Sequence, residues 1–224
     1  MNYEQPQPES ETPPEHSDKL AADGKESQPK PSAENPWIET LKTIGLSAIL
    51  ALGIRSFVAE ARYIPSGSME PTLQINDRLI IDKISYRFTT PVRGDIVVFS
   101  PTAQLEKEKD DDGKQKFNEA FIKRIIGLPG DKIDVKSGKV YINGKVIQEN
   151  YLGEAPQYNW SSTELTPDGI VPKGHYLVLG DNRNNSYDSH YWGFVPKEKI
   201  IGKATVRFWP INRAGGINPQ PDYK

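Results

Sequence analysis

Two serines one residue apart, with a glycine between them and a proline on either side, raise the first chemical question: Ile64-Pro65-Ser66-Gly67-Ser68-Met69-Glu70-Pro71-Thr72-Leu73. Pro65 and Pro71 restrict φ and lack an N–H, and Gly67 lets the backbone turn or pass close to another chain. Such a segment suits a rigid loop that presents a hydroxyl, flanked by backbone amides able to bind an oxyanion. It equally suits a surface turn. A serine hydroxyl becomes a nucleophile only when a base removes its proton. The histidines are His16, His175 and His190, and none sits in a motif suited to that task. A lysine can replace histidine if burial among apolar groups brings its pKa towards neutrality. Lys123 stands in Ala120-Phe121-Ile122-Lys123-Arg124-Ile125-Ile126. As a strand, this run puts Phe121, Lys123 and Ile125 on one face and Ile122, Arg124 and Ile126 on the other. Lys123 then has apolar neighbours, and Arg124 is free to pair with an acid. The alternative is an ordinary strand lysine with its head in water, the usual fate of lysine.

The surrounding elements read as β. Arg78–Tyr86 and Asp95–Phe99 are short runs rich in β-branched residues between turn formers. Lys132–Lys136 alternates, Ser137-Gly138 turns, Lys139–Ile142 follows, and Asn143-Gly144 turns again into Lys145–Ile147. Asn-Gly between such runs is the strongest short hairpin signal. His175–Leu179 and Lys203–Trp209 complete the set. The pattern predicts a mostly β protein: an antiparallel β-sheet catalytic domain over residues 60–212, behind a single N-terminal transmembrane helix.

Several segments flank or interrupt that domain. Residues 1–35 are rich in Pro, Glu, Ser, Gln and Lys, cannot bury enough surface to offset ordering entropy, and read as a disordered tail. Residues 36–59 read as the anchor: Thr43 to Ile54 is uncharged and apolar, Lys42 and Arg55 can snorkel, and Trp37 can sit at an interface. A cleavable secretory signal ending at Ala59-Glu60-Ala61 competes with this reading, and the long acidic tail ahead of it argues for a retained span. Glu106–Lys116 lacks the spacing of a calcium-binding EF-hand loop and reads as a solvated loop. Residues 148–173 are a polar, Pro/Gly-punctuated excursion, and 213–224 a C-terminal tail.

Composition narrows the function. The chain has 224 residues, 36% of them apolar, which is low for a polytopic membrane protein and makes any membrane attachment local. A net charge of −2 gives no electrostatic case for nucleic acid. There is no cysteine, so disulfides, thiolate metal sites and a cysteine nucleophile are excluded. With His16 in the polar tail and no HExxH pattern, no metal site is expected, and no cofactor is implied.

Specificity comes from stretches taken together. Ile64–Leu73, Arg93–Phe99, Phe121–Asp131 and Gly180–Pro196 (Gly-Asp-Asn-Arg-Asn-Asn-Ser-Tyr-Asp-Ser-His-Tyr-Trp-Gly-Phe-Val-Pro) closely resemble, in order, the motif boxes of bacterial type I signal peptidases. The resemblance covers roughly residues 37–212. It implies Ser68 as nucleophile and Lys123 as general base. It implies Ser66 as a hydroxyl assisting the oxyanion hole beside the Ser68 N–H, and Ser186 as a hydrogen-bonding guide for the lysine amine. Asp181, Arg183 and Asp188 match a supporting charged cluster; by residue type alone they would form a solvated Asx-rich turn. Ile64, Pro65, Met69, Leu73, Phe121 and Ile122 match substrate-pocket walls, each of which core packing would explain as well.

The resemblance further implies a membrane-bound serine endopeptidase that removes signal peptides from exported preproteins, cutting after small-x-small residues. Its partners would be those preproteins and membrane lipid, with a cytoplasmic N-terminus and an exported catalytic domain. The membrane would be of bacterial plasma type or an internal one such as the thylakoid. Phe208, Trp209 and Pro210 could enter a lipid interface or the core. Two positions depart from the family pattern: His190 stands where an arginine often pairs with the acid at Asp188, and Arg62 where an apolar pocket residue is common. A self-cleaving repressor-type Ser/Lys protease is disfavoured, because an apolar segment rather than a basic helix-turn-helix region precedes the β domain. A silent anchored adaptor is disfavoured by Ser68, Lys123 and Ser186.

Overall fold

The computed structural model describes residues 35–217, so nearly all of the expected N-terminal tail and the last residues of the C-terminal one lie outside the described residues. The chain divides into two compact units, Met1–Thr43 and Ile44–Lys224. The division falls within helix α1 (Pro36–Gly53), none of whose residues is buried. Near its start Lys42 pairs with Glu39 at 3.0 Å. The helix runs on as a π-helical turn, Ile54–Val58. No helix among the described residues is long and apolar enough to cross a membrane. Helix α1 ends after 18 residues, and Glu39 and Lys42 lie in its first half, which lowers its hydropathy.

The second unit is built from antiparallel strands: β1 (Ala59–Tyr63), β2 (Arg78–Asp82), β3 (Ile96–Phe99), β4 (Phe121–Gly127), β5 (Ile133–Lys136), β6 (Lys139–Ile142), β7 (Lys145–Val146), β8 (Trp160–Ser161), β9 (His175–Leu179), β10 (Val195–Pro196), β11 (Ile200–Trp209) and β12 (Gly215–Gly216). They form one sheet in the order β1-β2-β11-β3-β4-β9-β10, with β12 paired to β11, and a second in the order β7-β6-β5-β8. The mostly β, antiparallel expectation for this region is met.

Local chemistry explains the joints. The β5–β6 and β6–β7 hairpins close on two residues each, Ser137-Gly138 and Asn143-Gly144, between Lys136↔Lys139 and Ile142↔Lys145. All four turn residues have positive φ, which only glycine and a few polar residues adopt readily. Strand β2 is shorter than its apolar run suggests. Asp82 ends it by accepting the N–H groups of Ile84 and Ser85 at 2.8 and 3.0 Å, turning the chain into a short helix at Ser85–Phe88. In the expected solvated loop, the Asp110 carboxylate accepts the N–H groups of Asp112 and Lys114 at 3.1 and 2.8 Å and shapes a turn. The expected C-terminal tail begins later than residue 213: Gly215 and Gly216 pair with Arg207 and Val206. At the end of β11, Phe208 and Trp209 remain exposed, so core burial does not account for them.

Candidate active site

The loop after β1 is drawn shut on itself. Ile64 N–H donates to Asp77 O and Asn76 N–H to Ile64 O, each at 2.9 Å. The buried Asp77 carboxylate accepts from Gln74 N–H at 2.9 Å and from Arg207 and Arg213 at 3.3 and 3.2 Å. Within the loop, Gly67–Met69 forms a single 3-10 turn. Met69 enters a core cluster with Ile64, Leu73, Leu79, Ile96, Val98 and Ile122, which pins the turn to the sheet. Ser68, one residue earlier, stays partly exposed.

Strand β4 lies inside the large sheet, between β3 and β9. The alternation read from its sequence holds: Phe121 and Ile125 pack with Phe99 and Trp192, while Ile122 belongs to the cluster beneath the serine loop. Lys123 is 4% exposed. Its Nζ lies 2.7 Å from Ser68 Oγ and donates to Ile122 O at 3.0 Å. Burial holds the amine down at a pKa of about 8, against the opposing pull of the Asp188 and Asp181 charges. A chain separation of 55 residues is thus closed to a hydrogen bond. Ser66 Oγ stands 3.5 Å from Ser68 Oγ.

Behind the pair lies a buried charged framework. Arg124 grips Asp181 with two donors, Nε to Oδ1 at 2.8 Å and Nη2 to Oδ2 at 2.7 Å, and donates to Gly94 O at 2.9 Å. Thr72 Oγ1 donates to Asp181 Oδ2 at 2.6 Å. Asp188 accepts the Gly180 N–H at 2.9 Å, and its Oδ1 lies 2.6 Å from His190 Nδ1. The histidine thus sits against Asp188, at the position where the family pattern often has an arginine, and it stacks on Tyr158 with ring centroids 4.7 Å apart. Asn182 N–H donates to Ser68 O and its side chain to Gly67 O, each at 3.1 Å.

One expected contact is absent. Ser186 Oγ is buried without a hydrogen-bond partner. Its side chain lies against Gly180, where an added Cβ would sit 2.2 Å from Ser186 Oγ and 2.5 Å from Ser68 O. The lysine amine spends its contacts on Ser68 and Ile122 instead.

Two clefts open beside the pair. One, of about 550 Å³, is lined by Ser66, Ser68, Lys123, Phe117, Asn182 and Tyr187, among others. The other, of about 690 Å³, runs along Glu60–Pro65 and Asn118–Ile122. Ile64, Pro65, Phe121 and Ile122 are among the residues that line this second cleft. Met69 and Leu73 do not fit the expectation of wall residues: both have no exposed surface and serve the core. Arg62 lines the second cleft, its Nε 2.8 Å from Glu60 Oε1. Sequence reading missed Thr72, Glu149 and Tyr151. Thr72 was legible only as part of the serine loop, and the other two sit in a polar stretch with no periodicity to mark them.

The family model described as signal peptidase, peptidase S26, matches residues 37–209. A signal peptidase I of Leptolyngbya laminosa is 54% identical over 223 residues, covering 100% of both chains. A probable signal peptidase I-2 of Synechocystis sp. is 60% identical over 191 residues, 85% of this chain and 80% of the relative. Thylakoidal processing peptidase 1 of Arabidopsis thaliana is 40% identical over 176 residues, 78% of this chain and 49% of the relative. With a buried lysine against a serine on a β scaffold and matches of this extent, the chain belongs to the signal peptidase family, peptidase S26, and is a hydrolase.

Proposed function

We propose that the chain is a membrane-bound endopeptidase that removes signal peptides from exported preproteins, with Ser68 as nucleophile and Lys123 as general base. The observation that carries this reading is the 2.7 Å approach of a buried, pKa-lowered lysine amine to Ser68 Oγ. Neutral Lys123 takes the Ser68 proton as Oγ attacks the scissile carbonyl carbon. The Ser68 N–H and the Ser66 hydroxyl face the resulting oxyanion. The ammonium returns its proton to the leaving amine, and the C–N bond breaks to leave an ester. A water, deprotonated by the same amine, then hydrolyses it. The Asp181, Arg183 and Asp188 cluster supports this pair from behind.

The substrate runs as an extended strand along the Ile64 and Phe121 edges. Ile64, Pro65, Phe121 and Ile122 leave room there for small side chains at the −1 and −3 positions. Residues 36–59 form the anchor, since Trp37, Leu41, Leu46, Ile49, Leu50 and Leu52 are all exposed on a helical segment. The tail before them is cytoplasmic, and exposed Phe208 and Trp209 meet the lipid interface. Release of the protein from membranes by alkaline carbonate would refute the anchor.

The test of the chemistry is cleavage of a purified preprotein in detergent by wild type, Ser68→Ala and Lys123→Ala. Wild type is expected to cut after a small-x-small site, and each variant to lose about 10⁴-fold or more in kcat while folded. Normal cutting by either variant would sink the assignment. The wild-type kcat/KM is expected to fall about tenfold per pH unit below about pH 8, as Lys123 takes up its proton.

A further inference from the structure

Two arginines are buried beside the reacting pair, and the polar excursion after β7 holds both. Glu149 grips Arg183 with both carboxylate oxygens, Nη1 to Oε2 at 2.7 Å and Nη2 to Oε1 at 2.5 Å. Tyr151 Oη donates to Glu149 Oε1 at 2.6 Å, and its ring lies 4.0 Å from the Arg124 guanidinium carbon. The pair is sealed, with side-chain exposures of 0% for Arg183 and 6% for Glu149. Burial opposes the charge on Arg183, but the Glu149 carboxylate outweighs it and holds the guanidinium above its ordinary range.

Both arginines lead to the reacting atoms. Arg183 Nε donates to Gly180 O at 3.0 Å. Gly180 has no room for a side chain, because an added Cβ would meet Ser186 Oγ and the Ser68 carbonyl oxygen at 2.2 and 2.5 Å. Arg124 follows Lys123 in β4 and fixes Asp181, the residue after Gly180. We propose that Glu149 and Tyr151 are positioning residues for the Ser68–Lys123 pair, acting through Arg183 and Arg124. The proposal rests on the reading of Ser68 and Lys123 as the reacting groups. Without Glu149, Arg183 is a buried cation that must leave or find another acid. The acid in its own turn is Asp181, already held by Arg124 and Thr72. Either response moves Gly180 and Asp181, and with them the serine backbone and the charges facing Lys123.

The test uses the full-length protein in detergent, acting on a preprotein well below each variant's Tm, with near-UV circular dichroism to confirm folding. Glu149→Gln is expected to lower kcat about tenfold or more with KM within about twofold, since small displacements of reacting groups cost rate rather than binding. It is also expected to shift the acidic limb of kcat/KM, which Lys123 sets against Asp188 and Asp181. Glu149→Asp should recover part of the loss, and Tyr151→Phe should lose less, about threefold. A folded Glu149→Gln with wild-type kcat and an unmoved acidic limb overturns the proposal. If Glu149→Gln does not fold, Tyr151→Phe with wild-type kcat and limb overturns it. Lys123→Ala runs alongside: if it cuts like wild type, the assignment of the base has failed, whereas a dead Lys123→Ala beside unaffected Glu149 variants indicts the positioning role alone.

Discussion

Lys123 and Arg124 are consecutive in β4, both basic and almost without exposed surface, yet their hydrogen-bond partners differ in kind. Arg124 is given a bidentate carboxylate, a carbonyl oxygen and an aromatic face. Lys123 is given a hydroxyl and a carbonyl oxygen. One face of the strand stabilises a permanent cation, and the other makes a cation costly. Burial alone does not decide what a basic residue does; the partners that burial supplies decide it. An arginine could not serve at position 123, because its guanidinium stays protonated.

Three substitutions press on this contrast. The largest effect is expected for Arg124→Met, which strands the buried Asp181 charge and should cost about 3–5 kcal/mol of stability in chemical denaturation. Equal stability to wild type would mean that the ion pair is not what holds that face together. Lys123→Met should act in the opposite direction. The folded pKa of about 8 lies below the ordinary value of 10.5, so the native state binds fewer protons than the unfolded chain above pH 8. The lysine therefore weakens the fold by about 3 kcal/mol below pH 8, and that deficit fades as pH rises towards 10.5. The methionine variant should lack this pH dependence, and a constant difference between the two proteins from pH 7 to 10.5 would contradict it. The smallest effect is expected for Thr72→Val, which removes one hydrogen bond to a carboxylate still held by Arg124, at about 1 kcal/mol. A loss as large as that of Arg124→Met would make Thr72 an equal partner.

The same contrast shows what sequence reading could reach. Alternation in Phe121–Ile126 placed Lys123 and Arg124 on opposite faces, and both hairpins of the second sheet followed from Ser137-Gly138 and Asn143-Gly144, because these signals are local. Partners were another matter. Arg124 called for an acid, and several acids were candidates; only the fold selects Asp181, 57 residues away. Glu149 and Tyr151 carry no local mark, since a buried ion pair inside an irregular segment has no period. Met69 and Leu73 match wall positions by resemblance, with core packing as the alternative, and the fold uses them as anchors of the serine loop. Ser186 illustrates the limit of position: the resemblance implied a contact with the lysine amine, but its side chain lies against Gly180 and its Oγ makes no hydrogen bond.

Among the described residues, strand β1 pairs on one side only, with β2, and ends the large sheet. An open strand edge is a template for any extended chain, including the strand of another copy, and is a common seed of aggregation. Here Glu60 and Arg62 stand on that edge, tied to each other, with Lys83 3.5 Å from Glu60. A second apolar strand settling along β1 would have to strip water from these ions without replacing it. The edge is thus guarded against strand-to-strand self-assembly.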